Sequence, residues 1–405
     1  MGNVITAQSG ALPTKADLVI IGAGIVGAAT AFFASRAGLH TVVIERREQP
    51  GMLTTAASSE CVREQWSQPH NMVMMRESLD FFERFADAVG IPGYDIGLRQ
   101  QGYLFLTTDV QRARSYERIV QRQRRHGLLG VELLNGVDIR RRFPWVSSDV
   151  VAGRFNQRDG WLAVHELLWG LIKGSQADFY VGTTATAIET NARGVQAVAT
   201  DCGRIATRRV VVAAGPFAAQ VAALAGITLP LMNVRRQDVR VARHGVCPPQ
   251  APMVIDDDTW GNWTRVYWRP DGPGALLGGL EVGIQPGEPL EHVAADWDFA
   301  ARVMEGAARL SPFWNEVAST LKGDEVFVNA GQYSYVVDRC PVIGHTPVRG
   351  LYLNAAYDGR GIMAAPAGSR LLVDLITGKA KASDNPFGLE RLQSGRHLEA
   401  EDAVL

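Results

Sequence analysis

Cysteine is scarce and scattered in this chain. Its 405 residues include four, Cys61, Cys202, Cys247 and Cys340, with no CxxC pair and no spacing that would gather thiolates around a metal. That pattern excludes a disulfide framework and points to free thiols in a reducing compartment. Eight histidines show no HxxxH pattern, and His165 beside Glu166 reads as a packed or capping residue, so no metal is expected. Charge of one sign is also lacking. A net charge of −1 argues against nucleic acid as a partner. The basic groups at Arg122, Arg124, Arg125 and His126 and at Arg140 to Arg142 read as solvated helix faces. The first fifteen residues have no basic segment followed by an apolar one, so no secretory signal is expected and the expected compartment is the cytoplasm. Long hydrophobic runs are missing too. Leu18 to Ala34 is nearly continuous in apolar and small residues, but it is short for a membrane span and is broken by glycines.

Those glycines carry the most information. In DLVIIGAGIVGAATAFFASRAGLHTVVIER, Asp17 to Arg46, an apolar strand (Leu18 to Ile21) enters a turn made of Gly22, Ala23, Gly24, Ile25, Val26 and Gly27. A helical stretch follows to about Ala37, then a second apolar strand (Thr41 to Ile44) ending on Glu45. This is a βαβ unit. Gly22 permits the tight turn, Gly24 lets backbone approach a pyrophosphate, and Gly27 lets helix and strand pack closely. The helix N-terminus offers free N–H groups to phosphates, and Glu45 stands where a carboxylate accepts hydrogen bonds from a ribose. A dinucleotide is the expected ligand.

The length calls for two intimately packed domains. After Glu45, QPGMLTTAASSECVREQW is too poor in periodic apolar residues for a strand and reads as a loop against which a ligand can lie. Met74, Met75, Leu79, Phe82 and Phe85 recur at helical spacing from Asn71, and Gly90 to Gly93 ends that helix. Gly102 to Leu106 reads as a buried strand, Val110 to His126 as a basic helix, Arg141 to Trp145 as a break, and Val164 to Lys173 as a helix. Phe179 to Glu189 and Gly194 to Thr200 alternate like strands. In VVVAAGPFAAQVAAL, a strand passes through Ala213, Ala214 and Gly215 into a helix, again with small residues at the turn. Val234 to Val241 and the aromatic stretch Trp260 to Leu280 read as antiparallel sheet, and Asp296 to Leu310 as helix. Near the end, Leu351 to Gly378 runs from a strand through a Gly-rich turn into a long helix stopped by Gly378. The polar tail after Lys379 is expected to be loosely ordered.

One nucleotide-binding unit at the start, with a last strand and helix returning at the end, resembles the D-amino-acid oxidase superfamily of FAD enzymes. The likeness is greatest to its glycine oxidase and sarcosine oxidase branch, including β-subunits of multimeric sarcosine dehydrogenases, and runs from about Ala16 to Gly378. The GAGIVG turn with Glu45 and Arg46 resembles that family's ADP site. TTAASSECVREQW, with Ala57, Ser58 and Ser59, resembles its flavin-facing loop, and QQGYLFL the strand opening its substrate domain. VVVAAGPFA, with Ala214 and Gly215, resembles its second nucleotide-contacting turn, and the resemblance adds Ala185. DRCPVIG and YDGRGIMAAP resemble its C-terminal flavin segment, which implies contacts from Asp358, Gly359, Arg360, Gly361, Ile362 and Met363.

The implied fold is α/β (α+β): a Rossmann-type FAD domain from 16–95, 146–230 and 325–380, a mainly antiparallel substrate domain from 96–145 and 231–324, and a tail from 381–405. The implied reaction oxidises the C–N bond of an amino acid or an N-substituted amine, with hydride passing to flavin N5 and the imine then hydrolysed. Gly331 stands where some sarcosine oxidases attach flavin to cysteine, so the implied FAD is non-covalent. GALLGGLEVG has no lysine where oxidases of this branch place one near N5, which favours an electron-acceptor protein or quinone over oxygen. Arg63 is the first candidate to clamp a substrate carboxylate and Arg360 the second, with Tyr267 and Tyr333 lining the cavity. The alternatives are a flavin subunit that passes electrons to a partner and a non-catalytic FAD-stabilised assembly protein. An NAD-dependent dehydrogenase is disfavoured, because only one Rossmann unit is present.

Overall fold

In a computed structural model, which describes residues 1–6, 11–399 and 401, the glycine-rich start forms the middle of a seven-stranded sheet. Its strands run in the order Asn3–Thr6, Asp178–Val181, Thr41–Glu45, Leu18–Ile21, Val210–Val212, Leu351–Ala355 and Val342–His345. All neighbours are parallel except the last pair. Leu18, Val19 and Ile20 are fully buried because parallel strands are covered on both faces. The helix Ile25–Arg36 lies beside Gly361–Thr377, so the first and last nucleotide-facing segments meet. A buried polar knot ties them. Thr30 Oγ1 lies 3.1 Å from Ser369 Oγ, and Asn354 Nδ2 donates to Thr30 Oγ1 at 2.9 Å.

A nine-stranded sheet runs Val326–Tyr335, Met232–Val241, Gly274–Glu281, Trp263–Asp271, Met253–Asp256, Tyr103–Thr107, Ala152–Asn156 and Glu132–Asn135, with Thr259–Trp260 folded back on Trp263–Asp271. One of its faces is covered by Asp298–Leu310 and Phe313–Thr320. There Trp263, Trp268, Phe299 and Trp314 share a core, so those tryptophans serve packing. Tyr267 has the opposite orientation and packs with Tyr103 and Leu276. Ala152–Asn156 and Val326–Tyr335, expected within the nucleotide unit, hydrogen-bond in this sheet.

Two further expectations are corrected. The run Phe179 to Glu189 is not one strand. Gly182, at φ 66, splits it into Asp178–Val181 and Ala185–Asn191, which enter different sheets. Nor is the tail loose where it is described. Phe387 and Leu389 are buried, and the Arg391 guanidinium pairs with Asp338 at 2.8 Å. The Glu401 carboxylate accepts from Ser67 N at 2.7 Å and Asn71 Nδ2 at 2.5 Å, at the start of the helix Pro69–Glu83. A few apolar and charged anchors suffice to pin an otherwise polar segment. Ala400 and residues 402–405 lie outside the described residues.

Among the described residues, no helix is long and apolar enough to cross a membrane. No cluster of three or more metal-ligating side chains occurs among them either.

Candidate active site

The three small-residue turns converge on one cavity of about 440 Å³. At one end, Gly22 takes φ 110, which reverses the chain tightly. Gly24 opens the helix, and a Cβ there would meet only Thr55 Oγ1 at 3.3 Å, so its face stays open for a ligand. A Cβ on Gly27 would lie 1.9 Å from Gly22 O, so that glycine serves helix–strand contact. The buried Ala23 donates its N–H to Glu45 Oε2 at 2.8 Å, and Arg47 N donates to Oε1 at 2.9 Å. The Glu45 carboxylate is thereby fixed at the cavity wall with lone pairs left for ribose hydroxyls. Arg46 stacks 3.8 Å over Phe217 and pairs with Glu291 at 2.6 Å. Ile25, Val26, Ala185, Ala214 and Gly215 complete this end.

Toward the other end, Ser58, Ser59, Asp358, Gly359, Gly361, Ile362 and Met363 line the wall. Ala356 and Asp358 take φ 62 and 53, left-handed conformations that cost non-glycine residues energy and here present backbone to the cavity. Tyr267 and Tyr333 stand over this end, and Tyr267 OH and Ser59 Oγ share a hydrogen bond of 2.9 Å. Burial pushes both phenols up, so they are hydrogen-bonding groups, not phenolates. A side cavity of about 10 Å³ adjoins the main one and is lined by Ala57, Arg236, Asp238, Gly331, Tyr267 and Tyr333. A Cβ on Gly331 would approach Ala57 Cβ to 2.8 Å, so the position has no room for a cysteine as the loop stands.

The two expected clamp arginines are not on the main cavity wall. Arg63 is 1% exposed, donates from Nη1 to Gln65 O at 2.8 Å, and lies 3.8 Å over the Trp66 ring. Burial lowers its guanidinium to about 10. Arg360 is 2% exposed and lies 5.3 Å over the same ring, and its three side-chain nitrogens have no hydrogen-bond partner among the described residues. Asp358 pairs with Arg339 instead, at 3.2 Å. Leu276 and Leu277, the candidates for the missing lysine's place, are both buried, Leu276 beside Tyr267 and Leu277 in the core beneath the helices.

Several wall residues carry no signal in the sequence. Tyr103, Cys61 and Met253 line the cavity, and Thr55 Oγ1 accepts from Ile25 N at 3.1 Å. Asp238 is 3% exposed, with Oδ1 unpartnered among the described residues, and burial raises its carboxyl to about 7.

The wall suits a flavin dinucleotide. An open glycine face and a fixed carboxylate lie at one end, and backbone-rich turns under two tyrosines lie at the other. The relatives agree. The bovine (Bos taurus) FAD-dependent oxidoreductase domain-containing protein 1 is 26% identical over 410 residues, covering 90% of this chain and 82% of that protein. Mouse (Mus musculus) mitochondrial sarcosine dehydrogenase is 25% identical over 400 residues, covering 94% of this chain, which spans 42% of that longer protein. The L-proline dehydrogenase of P. horikoshii has the same fold, with a TM-score of 0.82 at 24% identity, covering 96% of this chain and all of that one. The family model for FAD dependent oxidoreductase matches residues 17–375, and the chain belongs to that family, the DAO group of FAD enzymes.

Proposed function

We propose that this FAD-dependent oxidoreductase oxidises the C–N bond of an amino acid or a secondary or N-substituted amine. The observation that carries the reading is the continuity of the cavity. One space joins the Gly22–Gly27 turn and Glu45 to a polar ceiling of Tyr267 and Tyr333 from the antiparallel sheet and Ser59 from the loop beneath it. FAD bound along it supplies the hydride acceptor at its N5. The chain's own work is placement. Glu45, Gly24 and the Ala214–Gly215 turn hold the nucleotide end. The Ser58–Ser59 loop and the Asp358–Met363 turn hold the ring, and the tyrosines orient a C–H bond toward it. The resemblance of the relatives named as amine dehydrogenases supports the same class.

FAD is held without a covalent bond, because Gly331 offers no thiol and no room for one. With no lysine at Leu276 or Leu277, where related oxidases carry one, electrons leave to a partner protein or a quinone in preference to oxygen. Arg63 and Arg360 act by holding Trp66 between the flavin-facing loop and the C-terminal turn.

Anaerobic mixing with amino acids and N-alkyl amines, followed by flavin absorbance, tests the reading. Bleaching by at least one amine is expected. A flavin that dithionite reduces but no amine does would overturn it.

A further inference from the structure

The strand order Thr41–Glu45, Leu18–Ile21, Val210–Val212 sets the carboxyl end of Leu18–Ile21, where the Gly22–Gly27 turn begins, between two flanks. Dinucleotides lie over such a strand end. Arg46 comes from one flank, directly after Glu45, and Phe217 from the other, in the turn Gly215–Phe217 after Val210–Val212. The Arg46 guanidinium stacks 3.8 Å over the Phe217 ring, so the pair reaches from flank to flank over that strand end. Both residues line the main cavity. The exposed residues of its wall are Arg46, Met52, Thr184, Gly215, Gln220 and Leu224. They adjoin the nucleotide end: Met52 follows Gly51, whose N–H donates to Ala23 O, and Thr184 follows Thr183, whose N–H donates to Glu45 O. At the other end Cys61, Tyr103, Met253, Tyr267 and Tyr357 are buried. The cavity thus opens widest beside the Arg46–Phe217 stack.

A third residue holds the stack in place. The Glu291 carboxylate pairs with Arg46 at 2.6 Å and with Arg47 at 2.8 Å, and Arg47 Nη2 also donates to Glu291 O at 2.7 Å. Glu291 belongs to residues 282–297, which connect Gly274–Glu281 to Asp298–Leu310 without a helix or strand of their own. Connections that long are uncommon in compact folds and serve as lids or binding loops. This one is firmly anchored on both sides of Glu291. The N–H groups of Gly287, Leu290 and Asp296 donate to Asn233 O at 2.8 Å, Gln332 Oε1 at 2.8 Å and Gln237 Oε1 at 2.6 Å, and Gln332 Nε2 donates to Glu288 O at 2.9 Å. The anchors lie on Met232–Val241 and Val326–Tyr335 of the nine-stranded sheet. Glu291 therefore ties the nucleotide rim of one sheet to the frame of the other. Its side chain is 51% exposed and is not on the cavity wall, so it grips the stack from outside.

We propose that the Arg46–Phe217 stack is a gate across the mouth through which FAD enters and leaves, and that Glu291 is its latch. The inference concerns cofactor exchange and is independent of which substrate the enzyme oxidises. A gate that must open for passage in either direction slows entry and exit by the same factor and leaves the equilibrium affinity alone, because the latch makes no contact that differs between bound and free cofactor. Two other roles leave different traces. A contact that steadied bound FAD would slow exit alone and tighten binding. A negative charge acting only through its field would slow the entry of the anionic cofactor and speed its exit.

The test measures both rates. Entry is followed by the change in flavin fluorescence when FAD is mixed with flavin-stripped protein. Exit is followed by adding to the holoenzyme a phosphodiesterase that cleaves released FAD and so blocks its return. Glu291→Gln, at an exposed position that the fold tolerates, should speed entry and exit alike by about 5- to 10-fold, the effect of losing two partly exposed ion pairs, and should keep the FAD dissociation constant within about twofold of the parent's. Glu291→Asp keeps the charge on a shorter stem and should fall between the two in both rates. Parental rates in Glu291→Gln overturn the gate. So does a faster exit with unchanged entry and weakened affinity, which would make Glu291 a stabilising contact, and so does faster entry with slower exit, which would reduce its role to its charge.

Discussion

Exchanging Gly24 and Gly27 for alanine, one at a time, should separate folding from cofactor binding within a single turn. At Gly27 the new Cβ would sit 1.9 Å from Gly22 O, whereas ordinary contact begins near 3.4 Å. Both atoms belong to backbone, so either the helix Ile25–Arg36 or the turn must withdraw by about 1.5 Å. That helix is clamped on its far side by Gly361–Thr377 through the Thr30, Ser369 and Asn354 bonds, so withdrawal opens a gap there. Overpacking costs typically about 1–3 kcal/mol, and two backbone segments with no give place Gly27→Ala at or above the top of that range. At Gly24, φ is −70 and the only neighbour is Thr55 Oγ1 at 3.3 Å, so the apoprotein should keep its stability to within about 1 kcal/mol. Its methyl would instead stand in the path of the pyrophosphate. Losing one charge-assisted backbone bond there is worth about 1.5–3 kcal/mol, or roughly 10- to 150-fold in FAD affinity. Urea unfolding of flavin-stripped protein gives the first quantity, and titration with FAD gives the second. A Gly27→Ala apoprotein as stable as the parent, or a Gly24→Ala protein with parental FAD affinity, would refute the division of roles.

Further expectations concern the cofactor and the buried acids. Acid precipitation should release FAD into the supernatant, and yellow colour in the pellet would contradict non-covalent binding at Gly331. Glu45→Ala should weaken FAD retention by about 1.5–3 kcal/mol, read by equilibrium dialysis, with little change in the reactivity of the flavin that stays bound; equal affinity would unseat Glu45. Burial pushes Asp159 up to about 7, so the folded protein holds its proton where the unfolded chain has lost it. Its contribution to stability is therefore full below about pH 4 and falls as pH rises toward 7. Relative to Asp159→Asn, the parent should lose up to about 1.4 kcal/mol per pH unit across that window in urea unfolding, and parallel profiles would count against it.

What the sequence discloses and what it hides follow the range of the interactions. The Gly22–Gly27 turn, the start of the helix Pro69–Glu83 and the Gly378 stop are legible because their determinants lie within a few residues of one another, whereas the break at Arg84, ahead of the stop expected at Gly90, is not. The strands Ala152–Asn156, Met253–Asp256 and Val326–Tyr335 are not, because their pairing partners lie tens of residues away and their own alternation is weak. Gly182 escapes notice because a single glycine inside an alternating run gives no sign that the chain there leaves one sheet for another. The side cavity is concealed for a related reason. A strand reading VRRQDVR looks like one with a solvated face, and only its register against Gly331 and Gly278 brings Arg236 and Asp238 to that small pocket.

The same register of long-range contacts explains why Arg63 and Arg360 attract attention in the sequence and yet stand apart from the cavity wall. They belong to a ladder of alternating cations and rings. Arg360 lies over Trp66 at 5.3 Å, Arg63 over Trp66 at 3.8 Å and over Phe105 at 5.3 Å, and Arg154 over Phe105 at 4.4 Å and Tyr116 at 4.8 Å. Asp257 closes the far end, 3.7 Å from Arg154. Ring faces are a weaker counterpart than carboxylates, each worth on the order of 0.5–2 kcal/mol, but they do not need to be paired one to one. A ladder therefore lets several guanidiniums be buried without an equal number of acids. It also joins the Asp358–Met363 turn to the nine-stranded sheet through side chains at positions 63, 66, 105, 116, 154 and 360. The nine-stranded sheet can then be held in register with the C-terminal turn by contacts that lie outside the cavity, leaving the wall itself to residues such as Tyr267 and Tyr333.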